Sequence, residues 1–214
     1  MKLTLAYCPG ACSLVPYVLL TEVGVAFDTV NINLSMGSNR DPAYLQVNPK
    51  GKVPALIIDG QPLTENIAIQ MWIALHFPDA KLLPEDPMDA MRAISVMAWC
   101  ASAMHPKITQ QARPERYCSL EGSADNVRAL GAQGLLEQFA IANTMLADRE
   151  WFFPSFSCAD AYFYWCFRRA GMFQADLSEF NHCKAHQQRM EQRPSVQKML
   201  VYEAQVRAEF AKLA

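Results

Sequence analysis

The side chains with the most chemistry to offer lie in the first third of the chain. Cys12 follows a Pro9-Gly10 turn and precedes an apolar run, a place where its sulfur would sit near the unsatisfied N–H groups and positive dipole end of a helix. Such a place stabilises a thiolate and makes the thiol a nucleophile, or a partner in mixed disulfides, near neutral pH. Cysteine is also a small buried hydrophobe, and Cys12 taken alone reads equally well both ways. Ser13 is placed as the helix N-cap and as a hydroxyl able to donate to a neighbouring thiolate. Cys8 reads as a strand-end cysteine facing the sheet, because CxxxC is not the spacing of a redox dithiol.

Two further pairs suit a peptide-like ligand. Val53-Pro54 opens a strand, where a cis bond would expose the Val53 backbone groups for pairing with an extended peptide. Glu65-Asn66 opens a helix after a tight turn, so that free N–H groups and an amide suit a ligand carboxylate while Glu65 suits an ammonium. Plain N-capping explains this pair as well. His182 and His186 share a helix face, but no third ligand accompanies them and the Glu of HExxH is missing, so they are expected on a solvated face and no metal is expected. Neither GxGxxG nor GxxxxGK[ST] occurs, which gives no support to dinucleotide or nucleoside triphosphate chemistry.

The elements that must hold these residues follow from hydrophobic period and punctuation. Residues 2 to 7 (KLTLAY) read as a strand, Ser13 to Val23 as a helix stopped by Gly24, and the alternation of Val30, Ile32 and Leu34 as a second strand. Asp41-Pro42 starts a short helix through about Val47, with Asp41 as N-cap. Residues 53 to 58, the Asp59-Gly60 turn and Pro62 to Thr64 form a hairpin, and Glu65 to about His76 is helical. The order is βαβαββα. Residues 78 to 87, with three prolines and four charged groups, read as a linker. Thereafter residues 88 to about 112, 121 to 148, 158 to 170, 179 to 192 and 195 to 212 carry helical periods only, which gives an α/β domain over 1–77 and an all-helical domain over 88–214. Ser157 and Asp160 form a capping box at the start of an aromatic run, and Asp160 is read as structural.

Composition narrows the function classes. The 214 residues are 51% hydrophobic and 19% charged, enough to bury a full core. Charge is balanced, with 19 basic and 21 acidic groups and no basic face for nucleic acid. Seven cysteines, an odd number with no CxxC, read as reduced thiols in a cytoplasm. The apolar segment after Lys2 is broken by Pro9-Gly10 and has no cleavage site, so secretion is not expected, and no stretch reaches the ~20 apolar residues of a membrane span.

Four motifs in order carry a resemblance across nearly the whole chain: YCPGACS (7 to 13), NPKGKVPAL (48 to 56), LTENIAI (63 to 69) and SFSCADAY (155 to 162). Together they resemble the soluble glutathione transferase family, most closely its bacterial beta class. The resemblance implies a thioredoxin-like N-terminal domain, an all-helical C-terminal domain, a homodimer, and glutathione as cosubstrate bound between the domains. It implies that Cys12 contacts the glutathione sulfur with Ser13 beside it, that Val53 pairs with the cysteinyl backbone ahead of a cis Pro54, and that Glu65 and Asn66 hold the γ-glutamyl end. His105 matches a histidine that approaches the thiol from the helical domain. Lys52 is the substitute at the glycyl carboxylate for a loop base of the family, and Lys107 is expected to reach the glutathione site across the Pro106 kink.

Three departures stand out: Asn66 replaces a usual Ser, Pro106 separates His105 from Lys107 and is expected to kink the helix, and the loop SMGSNR (35 to 40) is read as lacking the basic residue that the class often places there. The expected activity is conjugation of glutathione to a small hydrophobic electrophile lodged among residues such as Tyr7, Trp99 and Met104. Two alternatives remain: a thiol-disulfide reaction through Cys12, and a non-catalytic binding module that has kept the fold.

Overall fold

The computed structural model describes residues 1–213. Leu3, Leu5, Ala6 and Tyr7 of β1 (Leu3–Tyr7) are all buried, as a central strand requires. β1 pairs in parallel with β2 (Asp28–Asn31) and antiparallel with β3 (Ala55–Ile58), which in turn pairs antiparallel with β4 (Gln61–Thr64). The sheet order is therefore β2-β1-β3-β4. Between the first two strands runs α1 (Leu14–Glu22), buried from Leu14 through Leu20, and Gly24 past its end takes φ +70°. α2 (Pro42–Val47) follows β2, and α3 (Asn66–His76) follows β4 without a break.

The second strand sits earlier than its alternation suggests. Ile32 N–H still donates to Tyr7 C=O at 2.7 Å, but Asn33 Oδ1 then accepts from Ser35 N–H, Ser35 Oγ and Met36 N–H, turning the chain before Leu34 can extend the ladder. Asp41 occupies the N-cap position of α2, yet its side chain makes no capping bond there.

The helical unit contains α4 (Pro87–Trp99), α5 (His105–Ala112), α6 (Ala124–Met145), α7 (Cys158–Met172) and most of α8 (Asn181–Gln192). Asp86 caps α4 through Met88 N–H at 3.0 Å and Asp89 N–H at 2.9 Å. The run expected as one kinked helix is divided by a π-helical turn at Cys100–Met104, where His105 N–H bonds to Cys100 C=O. Pro106 has no N–H for the carbonyl four residues back and its ring would strike it, so the backbone widens just before it. Gly131 and Gly134 on α6 let α5 approach closely: a Cβ at Gly131 would fall 2.8 Å from Gln110 Cβ.

By compactness the chain divides between Leu82 and Leu83, and from Glu191 onward it rejoins the sheet unit. The division by sequence places that last segment with the helices. α9 (Pro194–Ala211) is tied to the sheet unit instead, through a two-pronged Arg193–Glu22 ion pair at 2.8 and 2.9 Å. Tyr202 adds a hydroxyl bond to Asn31 Oδ1 at 2.9 Å and a ring stacked on Tyr17 at 5.1 Å. Helical period reveals which face of α9 is apolar, not which unit receives it. Among the described residues no cysteine forms a disulfide, and no helix is long and apolar enough to cross a membrane.

Candidate functional site

The loop joining β1 to α1 carries Cys12 and is tied down at nearly every residue. Ser13 is fully buried, and its hydroxyl bridges one residue: Cys8 N–H donates to Oγ at 3.0 Å and Oγ donates to Cys8 C=O at 3.2 Å. Ala11 N–H adds a bond to Cys8 C=O at 3.1 Å, and Asn66 Nδ2 donates to Cys12 C=O at 3.0 Å. Gly10, at φ +72°, donates its N–H to Glu203 Oε2 at 2.9 Å. Ser13 thus closes the loop: it makes no side-chain cap bond, and its single O–H proton is committed to Cys8.

Cys12 itself departs from the thiolate expectation. Its residue is 5% exposed, and burial pushes the thiol up to about 12, with the Asn66 amide pulling the other way and the charges of Cys8 and Glu65 adding to the rise. Two helix-end donors are already taken, since Leu14 N–H bonds to Ala11 C=O and Val15 N–H to Cys12 C=O, each at 3.1 Å, and the pull of the Cys12 backbone N–H on the sulfur is outweighed by burial. Cys12 is therefore a neutral thiol, and its S–H points to Val53 C=O at 3.5 Å.

That contact brings the second predicted pair to the same place. Val53-Pro54 is a cis peptide, and the Val53 N–H takes no partner among the described residues. Beside it Lys52 is exposed, and its carbonyl accepts from Tyr44 Oη at 2.7 Å and Asn48 Nδ2 at 2.6 Å, which fixes the strand entry. Glu65, at φ +76°, turns the chain from β4 into α3, and no side chain caps that helix. The Glu65 carboxylate is 66% exposed and pairs with Lys50, whose Nζ also donates to Thr64 Oγ1 at 2.9 Å. Lys50 carries no local signal in the sequence that would pair it with a residue fifteen positions on. Asn66 is buried, and its amide is engaged inside the protein, donating to Cys12 C=O and accepting from Gln70 Nε2 at 3.2 Å.

In the helical unit His105 Nδ1 lies 3.1 Å from Tyr162 Oη, and its ring meets Trp165 edge-on at 4.4 Å. The Lys107 side chain lies over Gly134 of α6. Trp99 Nε1 donates to Gln138 Oε1 at 2.7 Å, and Met104 is fully buried. Tyr7, expected beside an electrophile, is instead fully buried in the sheet unit, ring to ring with Tyr17 and Tyr202.

The histidine pair also divides: His182 is exposed, whereas His186 is fully buried with Nε2 3.0 Å from Asp160 Oδ1. Asp160 additionally accepts from Phe152 N–H, Ser157 N–H and Ser157 Oγ, so it is the structural hub that the capping box suggests. The solvated-face expectation fails for His186 because Asp160 provides a buried partner. Among the described residues no three His, Cys, Asp or Glu side chains cluster as metal ligands.

A thiol on the loop after the first strand, the carbonyl that precedes a cis proline 3.5 Å from its sulfur, and an uncapped helix beside an acidic residue all lie in a thioredoxin-like sheet unit. Residues 1–75 match the family model of the glutathione S-transferase N-terminal domain. Glutathione S-transferase GstA of Escherichia coli O157:H7 is 36% identical over 201 residues, covering 92% of this chain and 96% of that protein. A solved glutathione transferase homologue from Sulfitobacter with bound glutathione aligns at TM-score 0.89 and 26% identity, over 94% of this chain and 98% of that one. The bacterial beta class enzyme of Sphingomonas chungbukensis aligns at TM-score 0.83 and 34% identity, over 94% and 98%. The chain belongs to the glutathione S-transferase family.

Proposed function

We propose that the protein conjugates the thiol of glutathione to a small hydrophobic electrophile. The observation that carries this reading is the start of α3: an uncapped helix N-terminus next to the exposed Glu65 carboxylate. One suits the carboxylate and the other the ammonium of a γ-glutamyl group. The open Val53 N–H ahead of cis Pro54 offers a backbone rung for the cysteinyl residue, and exposed Lys52 offers a cation for the glycyl carboxylate. Asn66 acts from behind, holding the Cys12 carbonyl.

In this reading Cys12 is a donor to sulfur, not the attacking nucleophile. A thiol held near 12 stays protonated at neutral pH and can direct its S–H to a bound glutathione thiolate, lowering that thiol's pKa. The electrophile is assigned to the helical unit, with His105 as the polarising group. Ser13 and Lys107 are assigned supporting roles, the first closing the Cys12 loop and the second filling the space over Gly134. Family membership and a chain of reduced thiols support a homodimeric detoxification enzyme of the cytoplasm.

The test is Cys12→Ala assayed with glutathione and an aryl halide. Conjugation should persist within about tenfold of the parent, because the nucleophile belongs to the cosubstrate. Reduction of a glutathione mixed disulfide is assayed alongside: turnover of that substrate that Cys12→Ala abolishes, with no aryl halide conjugation by the parent, would move the chemistry to a Cys12 disulfide mechanism. No glutathione binding by the parent protein would leave a binding module.

A further inference from the structure

We propose that Glu203 is a positioning residue for the site: from α9 its carboxylate holds the Gly10 N–H and thereby fixes the loop that presents Cys12. The catalytic consequence rests on the conjugation reading above, whereas the positioning itself does not.

The buried face of α9 runs Val196, Met199, Glu203, Val206, a spacing of three and four in which one member is charged. Glu203 is 3% exposed, and burying a carboxylate is costly unless strong hydrogen bonds receive it. One oxygen accepts from Gly10 N–H at 2.9 Å, and the other faces Arg207, 3.3 Å away and partly in solvent. An apolar side chain would continue the stripe at less cost, so the carboxylate calls for a role beyond docking the helix.

The loop supplies that role. Ser13 and Ala11 fasten its start to Cys8, and Asn66 fastens its end through the Cys12 carbonyl. Gly10 lies between them at φ +72°, with its N–H turned to Glu203. A left-handed glycine is the easiest point at which such a loop can re-form, and a charge-assisted bond to its amide removes that freedom. The last helix of the chain thus sets the position of a sulfur nearly two hundred residues earlier, the Glu203–Gly10 bond spanning 193 positions.

Three measurements test this. In the parent protein, amide hydrogen exchange at Gly10 should be slow, comparable with the amides of β1. Glu203→Leu removes the acceptor; Gly10 exchange should accelerate and alkylation of Cys12 should rise by about tenfold, both well below the melting temperature. Glu203→Gln keeps an oxygen for the Gly10 N–H and should stay near the parent in both. A role limited to docking α9 would lower the melting temperature without moving Cys12 alkylation. Fast Gly10 exchange in the parent, or a folded Glu203→Leu with unchanged exchange and alkylation, would overturn the proposal. Should Glu203→Leu not fold, parent exchange and the Glu203→Gln alkylation rate still decide it. Absence of conjugation in the parent alongside the expected exchange and alkylation would fault the functional reading and support the positioning.

Discussion

Alkylation of Cys12 as a function of pH is the perturbation in which the structure and the motif make opposite predictions. A helix-end thiolate would react readily near neutrality. The structure buries this sulfur, commits the neighbouring α1 amides to Ala11 and Cys12 carbonyls, and pushes the thiol from 9.0 up to about 12. Three pH units correspond to about a thousandfold less thiolate than an ordinary cysteine holds at any pH below its own titration. Cys118 provides a reference in the same molecule, because bonds from Ser123 and the Leu120 backbone hold its thiol below the usual range. With iodoacetamide near pH 8 and peptide mapping by mass spectrometry, Cys118 should be modified at least about a thousandfold faster than Cys12. The Cys12 rate should rise about tenfold per pH unit through pH 10. Equal rates at the two positions, or a Cys12 midpoint near neutrality, would show that the sulfur is an activated thiolate and not a buried thiol.

The same burial gives a direction to stability at high pH. Cys12 and Cys183 are pushed up to about 12, and Cys158 is raised as well by burial and by Asp160. The folded state holds these protons more tightly than the unfolded chain, so the stabilisation is complete below about pH 9 and is lost as pH rises toward 12. The urea midpoint should fall across that window, and a flat profile would contradict it. Asp160→Ala would strip four buried donors of their acceptor, His186 among them, and should cost about 3 to 5 kcal/mol in urea unfolding, against under about 1 for Asp89→Ala in its exposed pair with Arg92. Gly131→Ala would press on Gln110 Cβ and the Lys107 carbonyl and should destabilise by about 1 to 2 kcal/mol after the helix-propensity gain; Gly134→Ala meets only the movable end of Lys107 and should be milder. Equal effects at the two glycines would show that α5 is not held where the structure puts it.

What the sequence made legible was whatever is decided by neighbours along the chain. KLTLAY, VPALII and the Asp59-Gly60 turn carry their own period and punctuation, and β1, β3 and β4 lie where these place them. Ser157 and Asp160 are three residues apart, and their box is formed. The readings that moved depended on distant partners. Asn66 takes on internal bonds, to the Cys12 carbonyl and from Gln70, that no local pattern reveals; His186, expected on a solvated face, is received by Asp160. Cys12 reads both ways from its place in the sequence because spacing reveals a helix end but not how deeply that end is buried or which carbonyls already hold its amides. Nothing local in the sequence ties Glu203 to Gly10, 193 positions away.

The central claim concerns the sulfur of a bound tripeptide, and a titration of the purified protein with glutathione reads it directly. Ultraviolet thiolate absorbance and intact mass are followed together, with and without reductant, and in a parallel titration with glutathione disulfide, which supplies the oxidant that an adduct on Cys12 requires. Binding should be saturable, with new thiolate absorbance and no gain in mass, and Cys12→Ala should show the same absorbance change at reduced amplitude. A reducible glutathione adduct on Cys12 without thiolate absorbance would contradict the central claim, because the cysteine would then be the reacting group and not the donor that serves one.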